Sequence, residues 1–277
     1  MMKGLGDILL RAVLFTILLP GLLSCSVKEN RDECPVYVTV LVDRFVAAGE
    51  TAGVVSFSSG SLINREAINF LDYLRDGYVQ PCPRDYARAA VVSSVDKGIF
   101  MEEAYIVPTG RMCDPVWAYG ESFSVNADEY VIDAVPHKQY CKVQFLFDDK
   151  TTAPDDYMWR FRIRAEYAGF NVYTMEPVPG DYNCPVGPNA VGEWFGMLPR
   201  QRENNMKLEI FLPYADDETQ GPTDYVIDLG KAFEEKGYNW YDEDLKDVQV
   251  KVGFASNEIT LTIEEWVPDD TYRNTEI

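Results

Sequence analysis

Apolar and polar residues alternate with a period of two along most of the chain. In "VYVTVLVDRF", Val36, Val38, Val40 and Val42 point one way and Tyr37, Thr39, Leu41 and Asp43 the other. In "WRFRIRAEY", Trp159, Phe161, Ile163, Ala165 and Tyr167 alternate with Arg160, Arg162, Arg164 and Glu166. "VQVKVGF" puts Val248, Val250, Val252 and Phe254 on one face, and "ITLTIEEW" sets Ile259, Leu261 and Ile263 against Thr260 and Thr262. This is the pattern of strands with one buried and one wet face, and such half-wet sheets are usually antiparallel. Shorter runs at 54–57, 87–95, 103–107, 115–120, 141–147 and 206–212 predict further strands.

Helical signals are few. "DLGKAFEEKG" predicts a short helix, with Asp228 as N-cap, Leu229 and Phe233 as its apolar stripe and Gly237 just past its end. "INFLDYL" (68–74) is ambiguous and "DEDL" (242–245) suits a single turn. "EPVPGDYNCPVGPNAVGEWFG" (176–196), rich in Pro, Gly and Asn, reads as a long irregular loop. Proline and charge in "DAVPHKQYC" mark a boundary. The expected architecture is mainly β: two tandem antiparallel β-sandwich domains, 34–135 and 136–277, with short helices in the connections.

The first 25 residues follow a different logic. Lys3 and Arg11 precede a twelve-residue apolar run, Ala12 to Leu23, and "LLSC" ends it at Cys25. A helix of that length reaches about 18 Å, short of a hydrocarbon core of about 30 Å. Residues 1–24 therefore read as a secretory signal peptide. "LLSC" also resembles a bacterial lipobox, in which the cysteine thiol is acylated after cleavage. That would make Cys25 the lipid anchor, palmitate among its acyl chains, with 25–33 a charged tether and the outer membrane the destination.

Charge narrows the partners. The chain carries 45 acidic and 25 basic residues, a formal charge of −20. Loss of Lys3, Arg11 and Asp7 with the leader moves it to −21. Such a surface argues against nucleic acid and against electrostatic adhesion to anionic lipid. After Cys25 five cysteines remain: Cys34, Cys82, Cys113, Cys141 and Cys184. Export permits disulfides among them, the odd number leaves at least one thiol over in a monomer, and the pairing is open.

Catalytic signatures are missing. There is no GxSxG, HExxH or P-loop, no CxxC, and His137, read as an exposed linker residue, is the only histidine. Adjacent carboxylates (Glu102–Glu103, Asp155–Asp156, Asp216–Asp217, Glu264–Glu265, Asp269–Asp270) arise readily among 45 acidic residues. "DDKTTAPDD" and "DEDLKD" lack the spacing and glycine of a calcium loop. The expectation is a non-enzyme without cofactor or metal. Trp194, Phe195, Trp240 and Tyr241 are loop aromatics that either close a sandwich end or bind glycan or a host protein, the alternative function.

Three stretches together resemble the FimB-type fimbrial anchor family of type V pili: "CSVKENRDECP", "PHKQYCKVQFLF" and the ending "YVIDLGKAFEEKGYNWYDEDLKDVQVKVGFASNEITLTIEEW". The resemblance implies two transthyretin-like sandwiches and a lipid-attached anchor or minor subunit at the cell surface, with fimbrial shaft subunits as partners. It also implies control of filament retention and length. Joining by β-strand complementation would draw on the first strand (Val36, Val38, Val40) or the last (Ile259, Leu261, Ile263).

Overall fold

The computed structural model describes residues 34–84, 86–124, 127–147, 160–190, 192–212, 214, 221–255 and 258–267. Residues 1–33, on which the expected leader, the expected lipid site Cys25 and the expected tether fall, lie outside them, and Pro35–Ile277 forms one compact unit. The chain is mainly β. The strands up to residue 138 are β1 (Val36–Leu41), β2 (Ala52–Ser59), β3 (Leu62–Asn69), β4 (Tyr78–Cys82), β5 (Tyr86–Ser93), β6 (Ile99–Met101), β7 (Ala104–Ile106), β8 (Trp117–Ser124), β9 (Glu129–Asp133) and β10 (His137–Lys138). Then follow β11 (Tyr140–Phe147), β12 (Arg160–Asn171), β13 (Pro177–Pro188), β14 (Trp194–Pro199), β15 (Lys207–Phe211), β16 (Thr223–Asp228), β17 (Asp247–Ala255) and β18 (Glu258–Val267).

Strand order repeats. In the first half β4-β1-β9 forms one sheet, and β8-β5-β2-β3 runs through the other. In the second half the corresponding orders are β14-β11-β17 and β16-β15-β12-β13, with β18 added beyond β17. Each half thus uses seven strands in the same order, although pairing of β13 with β14 joins the two runs of the second half into one sheet.

The alternation in β1 buries Val36, Val38 and Val40 completely, with Val55, Phe57, Ala87, Ala89, Val91 and Phe123 opposite them. The even-numbered side of β5 faces the other way. Ala90 and Val92 join Tyr105, Phe170, Val172 and Tyr173 in a second core that continues through Val143, Phe161, Ile163, Val248, Val250 and Val252. The sheet containing β5 therefore serves two cores, one on each face. β7 pairs with β12 (Phe170↔Tyr105), so a segment between β5 and β8 completes the second sheet system.

Several expectations need correction. β1–β9 and β11–β17 are parallel pairs, not antiparallel. Alternation reports which face is buried and carries no information about a partner's direction. The strand expected through Phe45 stops at Leu41 and turns into a short helix, Asp43–Ala47, that buries Phe45. The supposed loop at 176–196 is largely β13 and β14. Its prolines 177, 179 and 185 sit on β13 where only Gly187 and Pro188 pair with β14, and a residue without an N–H is tolerated on such an edge. His137 is half-buried in β10, paired opposite Ala118, and not an exposed linker residue. The helix Leu229–Glu235 forms as read: the Asp228 carboxylate accepts from Lys231 N–H at 3.0 Å, and Gly237 takes the left-handed conformation, φ 68°.

Candidate strand-exchange interface

The two strands singled out for exchange stand in different situations. β1 is central. It pairs antiparallel with β4 (Val38↔Gln80) and parallel with β9 (Val38↔Tyr130). Its inward valines are fully buried, so both of its sides are in use. β18 lies at the end of its sheet, antiparallel to β17 from Asp247↔Val267 to Ala255↔Glu258, with its other side unpaired among the described residues. Ile259 and Leu261 stand opposite Phe254 and Val252, and Ile263, opposite Val250, is buried at 2% exposure.

A buried ionic network fixes the entry to the second half. Lys138 Nζ lies 2.8 Å from Asp247 Oδ1, and the same oxygen accepts Lys142 N–H at 2.7 Å. Lys138 Nζ also lies 4.5 Å from the Tyr140 ring centroid. Arg200 donates to the carbonyls of Trp240, Asp242 and Glu243, holding the 238–245 segment against β14. Asp244 accepts Lys138 N–H at 2.8 Å. Sequence reading missed this network, because "PHKQYC" looks like wet surface until its partner, distant in sequence, is known.

The halves are also joined by polar contacts. Ser56 Oγ and Tyr173 OH are 2.7 Å apart. Arg88 donates to Glu103 Oε2 at 2.7 Å, and Asn171 Nδ2 donates to the same oxygen at 3.2 Å. The hydrogen bonds from Arg88 hold the Glu103 carboxyl below its usual range. Glu103 is thus a structural carboxylate. Of the remaining pairs, Asp155–Asp156, Asp216–Asp217 and Asp269–Asp270 lie outside the described residues, as does "DDKTTAPDD".

The cysteines differ in setting. Cys34 is exposed at the entrance to β1, while Cys82, Cys113, Cys141 and Cys184 are buried free thiols. Burial pushes Cys82 and Cys184 up to about 11 and raises Cys113 and Cys141 as well. Among the described residues no group of three or more His, Cys, Asp or Glu could hold a metal ion, and no helix is long and apolar enough to cross a membrane. Of the aromatics read as loop residues, Trp194 and Phe195 belong to β14. Trp194 packs edge-on against Phe147 and Phe161, and Trp240 stacks on Phe233 with its indole N–H on Asn204 Oδ1. Tyr241 is 67% exposed.

No known protein-family profile matches the chain, and no curated protein matches it by sequence. Solved structures do. The fimbrial anchor protein Mfa2 from Porphyromonas gingivalis superposes with a TM-score of 0.55 at 12% identity, covering 83% of this chain and 95% of its own.

This chain shares the fold of a fimbrial anchor protein.

A candidate adhesin from Bacteroides ovatus gives a TM-score of 0.55 at 11% identity over 88% of this chain and 98% of its own. A candidate polysaccharide-binding protein from Bacteroides thetaiotaomicron gives 0.54 at 9% identity over 86% and 99%. The descriptions of these neighbours are fimbrial anchor, adhesin and polysaccharide-binding, and none of the three names an enzyme.

Proposed function

We propose that this chain is a lipid-anchored fimbrial anchor or minor subunit of the FimB-type family, which attaches a filament to the outer membrane and limits its length. The fold shared along 95% of the Mfa2 chain carries this reading. The "LLSC" ending adds the tether: residues 1–24 are removed, Cys25 receives the lipid, and 25–33 link it to the folded part. The repeated strand order supports two transthyretin-like sandwiches, proposed at 34–135 and 136–277. Filament subunits join by β-strand complementation. Exchange of β1 would draw Val36, Val38 and Val40 out of the core, so β18, with one open side, is the better placed of the two. Any disulfide among Cys34, Cys82, Cys113, Cys141 and Cys184 would require the thiols to approach one another beyond their present positions.

Replacing Cys25→Ala tests the reading. The protein then leaves the membrane fraction and filaments appear in the medium. Retention of protein and filaments on the cell contradicts it.

A second reading follows from the neighbour named for polysaccharide binding: glycan capture through exposed aromatics such as Tyr241 and Tyr225. The burial of Trp194 and Trp240 weighs against it. A glycan array with the soluble form separates the two, since the anchor reading expects no specific glycan.

A further inference from the structure

The two halves differ on their outer sheet faces. The odd-numbered side chains of β1 point away from the core, and pairing with β4 and β9 sets them in rows. Pro81, Tyr37 and Glu129 form one row, Val79, Thr39 and Val131 the next, and Leu41 stands beside Asp133 in the third. Tyr37 is 52% exposed, Val79 49% and Val131 60%. The face is thus largely apolar across all three strands. Its counterpart in the second half is polar: Lys142 and Gln144 of β11 stand beside Gln249 and Lys251 of β17, and Gln249 Nε2 donates to Gln144 Oε1 at 3.2 Å. The same strand order therefore carries a wet face in one half and a dry one in the other, so the fold itself does not require the dry face.

Charge around the dry face is matched in pairs. Beyond the third row, Arg44 Nη2 lies 2.6 Å from Asp133 Oδ2. At the opposite end, Arg84 just past β4 pairs with Asp128 just before β9. Arg75 Nε lies 3.8 Å from Asp76 Oδ1 on the approach to β4. Glu129 remains, at one corner. In a chain of formal charge −20, an apolar patch with so neutral a rim is an exception. Exposed patches of this kind mark contact surfaces.

Position in the chain says what meets it. Residues 25–35 precede Val36, and eleven residues reach at most about 40 Å. The face itself runs only about 20 Å along β1 from Val36. An acyl group on Cys25 would hold this face within a tether's length of the bilayer and keep its effective concentration there high. We propose that the outer face of β4-β1-β9 rests on the zwitterionic lipid surface of the membrane that holds the chain's own acyl chains. This orientation rests on the lipid-anchor reading and adds to it how the folded part lies. Tyrosine suits the headgroup level, with its ring in the apolar layer and its hydroxyl in the wet one, and Tyr37 occupies the middle of its row. The neutral rim matters because anionic headgroups repel a chain of this charge. A second copy is disfavoured, since two chains of formal charge −20 repel each other.

The test uses the mature chain, residues 25–277 with Cys34→Ser so that Cys25 is the accessible thiol, joined through Cys25 to a maleimide lipid in phosphatidylcholine vesicles. Hydroxyl-radical footprinting by mass spectrometry compares this form with the soluble one. On vesicles, oxidation of Tyr37, Val79 and Val131 should fall about fivefold or more, while Leu62, Tyr225 and Tyr241, exposed elsewhere, change less than about twofold. The double variant Val79→Glu with Val131→Glu should return Tyr37 to its soluble level while the protein stays on the vesicles. Protection of the buried Phe45 and Phe70 in the soluble variant shows that it folds, and the parent's footprint decides the matter even where it does not. Equal oxidation of Tyr37 in the two parent forms overturns the assignment, as does protection that falls on Leu62 or Tyr225 instead. Protection of this face by detached filaments mixed with the soluble chain, with none on vesicles, gives the face to a protein and also overturns it. In cells, retention of the Cys25→Ala protein on the membrane removes the anchor reading alone, because the vesicle lipid is attached chemically and its footprint reports on the face.

Discussion

Lys138 Nζ and Asp247 Oδ1 meet at 2.8 Å with side chains 0% and 3% exposed, pinning β10 to the start of β17. Removing one member leaves the other charge buried without its partner, which typically costs about 3–5 kcal/mol. Lys138→Met should lower Tm by roughly 10 °C in a chain of this size. The pair Lys138→Met with Asp247→Asn should recover part of the loss. Calorimetry of the three variants checks this; a double variant no more stable than the single one would contradict it.

The halves should respond to crowding at one glycine. A Cβ on Gly120 would lie 2.5 Å from the Tyr173 carbonyl oxygen and 2.6 Å from that of Val172. Backbone cannot yield as a flexible side chain does, so Gly120→Ala should destabilise by about 1–3 kcal/mol. Chemical denaturation measures it. An unchanged midpoint would show that this junction is looser than its contacts imply.

Acid should weaken the same junction. The folded value of Glu103 lies below its unfolded value because Arg88 and then Asn171 bond the charged form. Asp228 is likewise depressed, first by its bond to Lys207. Groups shifted this way contribute fully above the unfolded range, about 4, and lose that contribution as pH falls through the folded value. Tm should therefore drop below about pH 4.5, and Arg88→Met should flatten the drop. A variant with an acid slope as steep as the parent's would exclude Glu103 as a contributor.

Much of this was legible in sequence where one strand lies across an interior. The apolar alternation of β17, and of β12 up to Ala165, was readable because that face meets the core, whereas past the irregularities between Ala165 and Gly169 the buried parity of β12 switches to Ala168 and Phe170. The helix at 229–235 was readable down to its cap, because Asp228 and Gly237 act locally. β13 was not, since four prolines suggest a loop until an open edge is known to accept them. β4, β9 and β16 are short or exposed and leave little periodicity. Of the proposed exchange residues, the valines of β1 were correctly grouped on one face, but that β1 has a strand on each side depends on β4 and β9, far away in the chain. That the outer face of β1 is dry where its counterpart is wet emerges only from comparing the two halves.

Thiol chemistry offers an independent check on the cores. Burial raises Cys82, Cys113, Cys141 and Cys184, so little thiolate exists at pH 8 and access is poor. Mass spectrometry after brief iodoacetamide treatment should find these four unmodified in the native protein and alkylated after denaturation. Rapid native modification of Cys113 or Cys184 would mean the second core opens readily.

The claim that this chain holds a filament at its membrane end is tested most directly by immunogold electron microscopy of intact cells, using an antibody against the folded part. The account predicts one label at the cell-proximal end of each filament. Label spread along the shafts, or scattered over the surface away from any filament, would contradict it.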